Sequence, residues 1–437
     1  MNILKKNFKN KNIEFIVIFI CTFSFFFLWD LSNFFLKHEI KTFFQFKYIF
    51  SLLLFISIKY FDYKKIKKFY FFFLFFFIIQ IYTFFYLNIY NLNNIFSFIF
   101  LIIILFNVIH LKIKIFYSLL YSYYLVIILL VAHQIANFSY SIIPDFLSCS
   151  FFFNKKKFIF YENSHFAMLF VSVFYYFSYQ FFFKKNFLDF IFFFFSFILI
   201  IINFSLSFLI GYIFSCIILL VLNYFNFLKL GKNFLIFLST ILILLMIIFS
   251  FNRQCNVRVL DISESILISV GKTFAKNQNM SESEIKKNEN MPNRYNYNLS
   301  ALVVISHLEN MYETFKDYPF GVGINNYHIS YKKRVNSDIN KKIASVNNGQ
   351  LLNQNDGRAV IIKGVVELGI FILIFFISFF YFIKSKKIPN VVKIVIIPLV
   401  ITQLFSGAGY FNGGFLVSLF IMISYSSYNR ENILIKF

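Results

Sequence analysis

The amino-acid sequence predicts an all-α polytopic membrane protein with about twelve transmembrane helices and one large extracytoplasmic loop between helices 9 and 10. The first observation behind this prediction is hydropathy: 59% of the 437 residues are hydrophobic, and the mean hydropathy is +0.72. A soluble domain of this size could not bury so much apolar surface, whereas a lipid bilayer accommodates it. The second observation is a long polar interruption, residues 252–358, which holds most of the acidic residues and nearly all the arginines.

Each transmembrane helix needs about 20 mainly apolar residues, and such segments occur on both sides of the polar interruption. The predicted spans are residues 13–30, 43–61, 69–88, 95–111, 115–137, 164–183, 187–203, 207–226, 233–251, 359–383, 388–408 and 413–428. Residues 1–251 are therefore predicted to form a membrane domain with helices 1–9, residues 252–358 the loop, and residues 359–437 a membrane domain with helices 10–12. The first apolar segment lacks a small-residue cleavage site, so we expect a retained helix rather than a signal peptide.

Lysine clusters in the short loops predict the orientation of the chain. If the basic N-terminus is cytoplasmic, alternation of the spans puts most of the clusters in the cytoplasm, as the positive-inside rule requires. These clusters are Lys64, Lys65, Lys67 and Lys68; Lys112 and Lys114; Lys184 and Lys185; Lys229 and Lys232; and Lys384, Lys386 and Lys387. Both termini are then cytoplasmic, and the loop of residues 252–358 lies outside. The net charge of +23 is explained by orientation, so no nucleic-acid partner is expected, and the four cysteines show no metal-ligand spacing.

The first group of residues that could carry chemistry lies at the outer mouth of the sixth span, in the segment Phe160–Met168. Glu162 and His165 are three residues apart, so on a helix they share a face. A carboxylate beside an imidazole suits acid–base chemistry or sugar binding. The alternative is a solvated helix start capped by Asn163 or Ser164.

The second group lies in the loop between Arg294 and Tyr331. Apolar periodicity over residues 299–315 predicts a helix, and a turn is expected at Pro319–Gly323. The amide groups around Gly321 and Gly323 could hold an anion, although such glycines more often form an ordinary turn. His307 and His328 could each act as a base; the competing interpretation is a solvated loop histidine.

The third group leads into the tenth span and contains Asp356, Lys363 and Glu367. Lys363 and Glu367 are four residues apart and lie within an apolar segment, so they would share one helical face. Ionisable groups at such depth indicate a functional site, and a structural intramembrane ion pair is the alternative. If the helix begins early, Asp356 projects from the same face.

Arginine is nearly reserved for the polar loop and its edges. Arg253, Arg258, Arg294, Arg334 and Arg358 lie there, and Arg430 is the one other arginine in the sequence. Guanidinium groups match the oxygens of a diphosphate bidentately, and they can stabilise the charge that a leaving diphosphate gathers. Ordinary solvated loop charges are the alternative explanation.

Taken in order, these motifs resemble those of the O-antigen polymerases, which share a superfamily with the O-antigen ligases. The similarity at the level of motifs is confined to residues 160–168, 253–258, 294–328 and 353–369. The resemblance implies a glycosyltransferase of the bacterial inner membrane that requires no metal and no cofactor. Such enzymes take a glycan from undecaprenyl diphosphate and pass it to a sugar hydroxyl, which in a polymerase belongs to the next lipid-linked repeat unit. A chain-length regulator protein would be a further partner.

The resemblance also suggests roles for individual residues. Arginines that hold the diphosphate would map onto Arg258 and Arg294, and less surely onto Arg253 and Arg358. Asp356 or a nearby histidine such as His328 would accept the proton, with Glu162 and His165 as further catalytic candidates. The outer-mouth motif usually carries Pro where this chain has Asn163.

Two alternatives to the polymerase follow from the same sequence. Ligases, which transfer the glycan to lipid A–core, usually carry a His-Asn pair before the span that follows the loop, where this chain has Asn355 and Asp356; the departure favours a polymerase. A lipid-linked oligosaccharide flippase or secondary transporter would suit twelve spans equally. It is disfavoured because no internal repeat is evident and the mid-span charges concentrate in the tenth span.

Overall fold

The structure is a computed structural model that describes residues 14–23, 26, 70–88, 92–136, 163–202, 205–251, 299–346, 351–355, 357–386, 388–406 and 414–427. Within these ranges the chain forms helices and the turns that connect them, with no strand, so the all-α prediction is confirmed. Four helices are long and apolar enough to cross a membrane: Asn107–Ile135, Phe166–Lys184, Leu206–Tyr224 and Val360–Lys384. The count of twelve spans remains a prediction.

The helices are numbered here in chain order within the described part of the chain. They are α1 (Glu14–Phe23), α2 (Tyr70–Tyr86), α3 (Leu92–Ala136), α4 (Asn163–Lys184), α5 (Phe187–Ile202), α6 (Leu206–Tyr224), α7 (Lys232–Phe251), α8 (Leu299–Asp317), α9 (Tyr327–Lys332), α10 (Asp338–Val346), α11 (Val360–Leu368), α12 (Ile372–Lys384), α13 (Asn390–Ser406) and α14 (Phe415–Ser427). A 3₁₀ turn, Gly369–Phe371, separates α11 from α12.

Helices α4 and α13 form the centre of the bundle. Their described side chains are almost all buried, because neighbouring helices cover them on several sides. Ser172 of α4 donates a hydrogen bond to the Val395 carbonyl of α13 at 2.6 Å and accepts one from the Tyr123 hydroxyl of α3 at 2.7 Å. A Cβ atom at Gly211 would lie 2.7 Å from the Thr402 side chain, so glycine lets α6 approach α13 closely.

Helix α3 is one continuous helix of 45 residues, so the predicted break between residues 111 and 115 is wrong. At about 1.5 Å per residue it is about 67 Å long, roughly twice the thickness of a bilayer core. The break was inferred from Lys112 and Lys114, but lysine is a good helix former and the segment has neither Gly nor Pro. Both lysines find partners beside the helix instead: Lys112 donates to the Ser424 carbonyl at 3.4 Å, and Lys114 pairs with Glu14 at 2.7 Å.

The sequence assigns each helix end to one side of the membrane, and ends assigned to the same side lie next to each other in the structure. Lys393, at the start of α13, donates to the Phe227 carbonyl at 2.8 Å and to the Ile383 carbonyl at 2.7 Å. It therefore joins the start of α13 to the segment after α6 and to the end of α12. On the other side, Gly323 of the loop packs against Thr83 near the end of α2. Because α3 joins two of the predicted spans, the alternation counted from the sequence does not decide which side faces the cytoplasm, and the extracytoplasmic position of the loop remains a prediction.

The Lys393 contacts lead to a testable prediction about stability. The Lys393 side chain is fully buried, so replacing it by Met would leave the buried Ile383 carbonyl and the partly buried Phe227 carbonyl without their donor. We expect Lys393→Met to lower the free energy of unfolding by about 1–3 kcal/mol for each carbonyl. Thermal unfolding of the detergent-purified protein measures this change, with the exposed Lys386→Met as control. Equal stability of the two variants would contradict the role given to Lys393.

Candidate functional site

The described part of the polar loop folds into a small helical unit made of α8, α9 and α10, which packs against α11. Helix α8 follows the predicted periodicity, because its buried residues recur on one face. That face is Leu302, Val303, Ser306, His307, Asn310 and Thr314. It is unusually polar for a helix core, so its side chains must find hydrogen bonds within the unit.

A network of side-chain hydrogen bonds holds the three helices of this unit together. Ser306 donates to the Asn340 side-chain oxygen at 2.6 Å, and the Tyr331 hydroxyl reaches the same oxygen at 3.0 Å. The Asn340 amide donates to the Arg334 carbonyl at 2.7 Å. The sequence did not indicate these hydrogen bonds, and it did not single out Asn340, because the partners come from different helices. They fix α8, α9 and α10 relative to one another.

The turn segment, residues 318–324, packs against the end of α11. Val322 N–H donates to the Val366 carbonyl at 3.0 Å, Gly323 N–H to the Glu367 carbonyl at 2.9 Å, and Ile370 N–H to the Pro319 carbonyl at 2.8 Å. These bonds satisfy carbonyl groups that the end of a helix leaves open. The predicted span 359–383 corresponds to the membrane-type helix Val360–Lys384, in which the 3₁₀ turn at Gly369–Phe371 separates α11 from α12.

Two glycines permit this close backbone contact. Gly321 has φ +83°, and a Cβ atom there would lie 2.4 Å from the Glu367 carbonyl oxygen. Gly369 has φ +56°, and its Cβ would lie 2.1 Å from the Pro319 carbonyl oxygen. The amide groups of residues 321–323 all donate to carbonyls of the protein, which is the arrangement of a structural turn rather than of an anion nest.

The Glu367 carboxylate is fully buried and organises the segments around it. One oxygen accepts from Asn325 N–H at 2.7 Å; the other accepts from Tyr327 N–H at 3.1 Å and lies 3.6 Å from the Lys363 ammonium. Lys363, also buried, donates to the Asn355 carbonyl at 2.7 Å. The ion pair therefore ties α11 to the segment before α9 and to residues 351–355. These contacts give the pair a positioning role.

Positive charge collects around this ion pair. Arg358, half-buried and with φ +61°, lies close enough to His307 to lower the pKa of its imidazole. Burial lowers the pKa of His328, and the ammonium groups of Lys332 and Lys363 lower it further. A backbone hydrogen bond with Asn325 acts in the opposite direction and raises this pKa. Cations that depress the pKa of nearby histidines would favour an anion bound among them. Arg334 pairs with two carboxylates of α8, Asp317 at 3.2 Å and Glu313 at 3.8 Å.

His307 is buried, so the interpretation as a solvated loop histidine is wrong. Its ring stacks on Tyr331 with centroids 4.7 Å apart, and its Nδ1 lies 2.6 Å from the Tyr327 hydroxyl. Among the described residues, no hydrogen-bond partner is aligned with its Nε2. Burial lowers the pKa of His307 to about 4; Arg358 acts in the same direction, and the Leu352 backbone opposes both. The sequence indicated this burial, because the helical periodicity of residues 299–315 places His307 on the inward face of α8.

Several candidate residues from the sequence lie outside the described residues: Glu162, Arg253, Arg258, Arg294 and Asp356. His165 lies in the first turn of α4, but its side chain is also outside the description. Of the candidates, the structure brings together Gly321, Gly323, His328, Arg358, Lys363 and Glu367. With His307 and Tyr327 they form the polar cluster, which extends along α11 from Arg358 to Glu367.

The fold and the cluster define a helical protein suited to a membrane, with a polar site at the junction of a membrane-type helix and a small helical unit. Comparisons of the chain with protein-family models, curated proteins and solved structures find no match. Among the described residues no three His, Cys, Asp or Glu side chains are grouped as metal ligands.

Proposed function

We propose that this chain is a membrane glycosyltransferase that polymerises undecaprenyl-diphosphate-linked oligosaccharide repeat units into O-antigen or a related surface polysaccharide. The observation that carries the proposal is convergence: the described parts of two separate motif regions, 294–328 and 353–369, meet in the polar cluster. Their order along the chain is what resembles the O-antigen polymerases. A single active site would need residues from both regions, and the contacts between the two regions are therefore what the resemblance leads us to expect.

The charges of the polar cluster suit a diphosphate. Arg358 and Lys363 supply a guanidinium and an ammonium near two histidines whose pKa values are lowered. Arg258 and Arg294 are proposed to complete this set. In glycan transfer the bond between the anomeric carbon and the diphosphate oxygen breaks, and negative charge grows on the diphosphate. Fixed cations stabilise that charge more in the transition state than in the ground state.

The surroundings of the polar cluster suit a donor that is partly lipid. Phe320 of the turn segment contacts Phe371 and Tyr82, with ring centroids 5.9 and 6.1 Å apart. Phe320, Ile370 and Leu373 are each about half exposed. Exposed aromatic and aliphatic side chains beside a polar headgroup site are typical of a protein surface at a membrane interface. An undecaprenyl tail could therefore stay in lipid while its diphosphate reaches the cluster.

Arg358→Ala tests the proposal in a strain that lacks its own copy of this chain. We expect surface glycan to shift from a ladder of chain lengths to a single repeat, because the leaving diphosphate loses a stabilising cation. Arg334→Ala is the matched control, since Arg334 pairs with Asp317 and Glu313, and it should retain the ladder. Gel electrophoresis of the surface glycan gives the result, and immunoblotting checks that both variants reach the membrane.

The deletion strain itself separates the classes of function. Single-repeat surface glycan in that strain supports a polymerase. Loss of all surface glycan would contradict the polymerase and point to a ligase or a flippase. A normal ladder with Arg358→Ala would contradict the role given to Arg358.

A further inference from the structure

The His307 imidazole is the one ionisable side chain of the polar cluster that combines burial, a fixed ring orientation and a ring nitrogen without an aligned partner. We propose that His307 is the general base that takes the proton from the acceptor hydroxyl during glycan transfer. This inference rests on the proposed function and adds to it the residue that deprotonates the acceptor. From the sequence, Asp356 or His328 was the candidate for this role.

The orientation of His307 is fixed by a short series of contacts. Glu367 accepts a hydrogen bond from Tyr327 N–H at 3.1 Å and so holds the start of α9. The Tyr327 hydroxyl lies 2.6 Å from Nδ1 of His307, and Tyr331 stacks on the ring. Such a base–orienter arrangement is typical of catalytic histidines. Tyr327 and Glu367 are therefore positioning residues for His307.

The charges around the ring decide which nitrogen can accept a proton. Nδ1 faces Tyr327, and the Arg358 guanidinium and the Leu352 backbone both act on the ring. A positive guanidinium beside the ring favours a lone pair over a second N–H group at the nitrogen that does not face Tyr327. We therefore assign the hydrogen to Nδ1, which donates to the Tyr327 oxygen, and the lone pair to Nε2. Once Nε2 is protonated, the Leu352 backbone stabilises the imidazolium, in line with its effect on the pKa of His307.

The His307 side chain is fully buried, so the acceptor reaches the ring only when a neighbouring segment shifts. The candidate is the segment 351–355, because the Leu352 backbone contacts the ring. Asn353 and Arg358, on either side of Asn355, both have left-handed backbone conformations, with φ of 55° and 61°. Asparagine adopts this region readily, whereas arginine rarely does, so the strain lies at Arg358. Movement of the segment would release part of that strain and carry Arg358 with it.

The proposed step conserves atoms and charge. The acceptor oxygen forms a bond to the anomeric carbon, while its proton passes to Nε2 of His307. The bond between the anomeric carbon and the diphosphate oxygen breaks, and its electron pair leaves with undecaprenyl diphosphate. The imidazolium then returns its proton to water.

The donor itself would strengthen the base. Because the Arg358 charge lowers the pKa of His307, a diphosphate bound to Arg358 would offset that charge and raise the pKa. Without donor the pKa is about 4, so His307 is neutral throughout the neutral pH range and able to accept a proton. Activity is lost only when pH falls far enough to protonate the ring.

The first test compares two replacements of His307 in membranes supplied with lipid-linked oligosaccharide extracted from cells that lack this chain. His307→Asn keeps a polar group near Tyr327 but removes Nε2. His307→Gln places an amide near the position of Nε2, and an amide cannot take up the proton. We expect both variants to lose rate by about 10²–10⁴-fold while the protein stays folded. Thr314→Val, which removes a buried hydroxyl from the same face of α8, should keep the rate.

The second test separates a base from a space-filling residue. In His307→Ala, added imidazole should restore part of the rate, whereas pyrazole, which has the same shape but is a far weaker base, should not. Equal rescue by both, or an unchanged rate in His307→Gln, would overturn the assignment of His307 alone. Absence of polymer with the wild-type protein would overturn the proposed function and this inference with it.

Discussion

Replacing Glu367 by Gln is expected to lower the free energy of unfolding by about 3–5 kcal/mol. The carboxylate accepts hydrogen bonds from Asn325 N–H and Tyr327 N–H, and it neutralises the buried Lys363 ammonium. A glutamine offers one acceptor oxygen for two N–H donors and leaves the ammonium without a counter-charge. Removal of one partner from a buried ion pair costs more than removal of an exposed one, because the remaining charge is not solvated.

A matched control and a double variant sharpen this prediction. Glu313→Gln removes a partly exposed carboxylate that pairs with Arg334 at 3.8 Å, and its effect should stay below about 1 kcal/mol. Lys363→Met combined with Glu367→Gln should cost less than the sum of the two single changes, because no unpaired charge is left. Thermal unfolding in detergent measures the stability of the three single variants and the double variant relative to the wild-type protein. An effect of Glu367→Gln no larger than that of Glu313→Gln would contradict the organising role of this carboxylate.

Replacing Gly369 by Ala is expected to cost at least about 2 kcal/mol of stability. Gly369 has φ +56° and ψ −136°, a sparsely populated conformation that costs a residue with a Cβ about 1–3 kcal/mol. In addition, the new Cβ would lie 2.1 Å from the Pro319 carbonyl oxygen and 2.5 Å from the Gly321 nitrogen, which are backbone atoms. The turn segment would have to move away from α11 and give up its hydrogen bonds to Val366 and Glu367. Polymer formation should fall as well, because Tyr327 follows that segment.

Gly231→Ala is the natural control for this change. A Cβ atom at Gly231 would meet nothing within 4 Å, and the residue lies just before α7. Replacing such a glycine reduces the freedom of the unfolded chain, so stability should be unchanged or rise by about 0.4–1 kcal/mol. Similar losses of stability at positions 231 and 369 would show that the contact between the turn segment and α11 is not as described.

Hydropathy predicted the positions of most described helices to within a few residues. The predicted spans 164–183 and 233–251 correspond to α4 (Asn163–Lys184) and α7 (Lys232–Phe251). This agreement has a physical cause: apolar segments of bilayer length must form helices to satisfy their backbone groups, and polar junctions end them. Helix α8 and the turn at Pro319–Gly323 were also predicted, from 3.6-residue periodicity and from turn-forming residues.

The remaining features depend on contacts between residues distant in the sequence. Glu367 is held by amides about 40 positions earlier in the chain, and no local pattern indicates which amides those are. The break at Gly369 likewise requires the turn segment to lie beside α11. The continuity of α3 is a further example, because two nearby lysines in an apolar segment usually indicate a loop, whereas here Lys114 forms an ion pair with Glu14 beside the helix.

The most direct test of the central claim is the side of the membrane on which the polar cluster lies, because the lipid-diphosphate donor is proposed to be outside the cytoplasm. Single cysteines at the exposed positions Asn336, in the helical unit, and Lys386, after α12, can be introduced after the four natural cysteines are replaced. A membrane-impermeant maleimide added to intact spheroplasts should label Asn336→Cys, and it should label Lys386→Cys only after permeabilisation. The reverse pattern would place the cluster in the cytoplasm and contradict the proposed reaction.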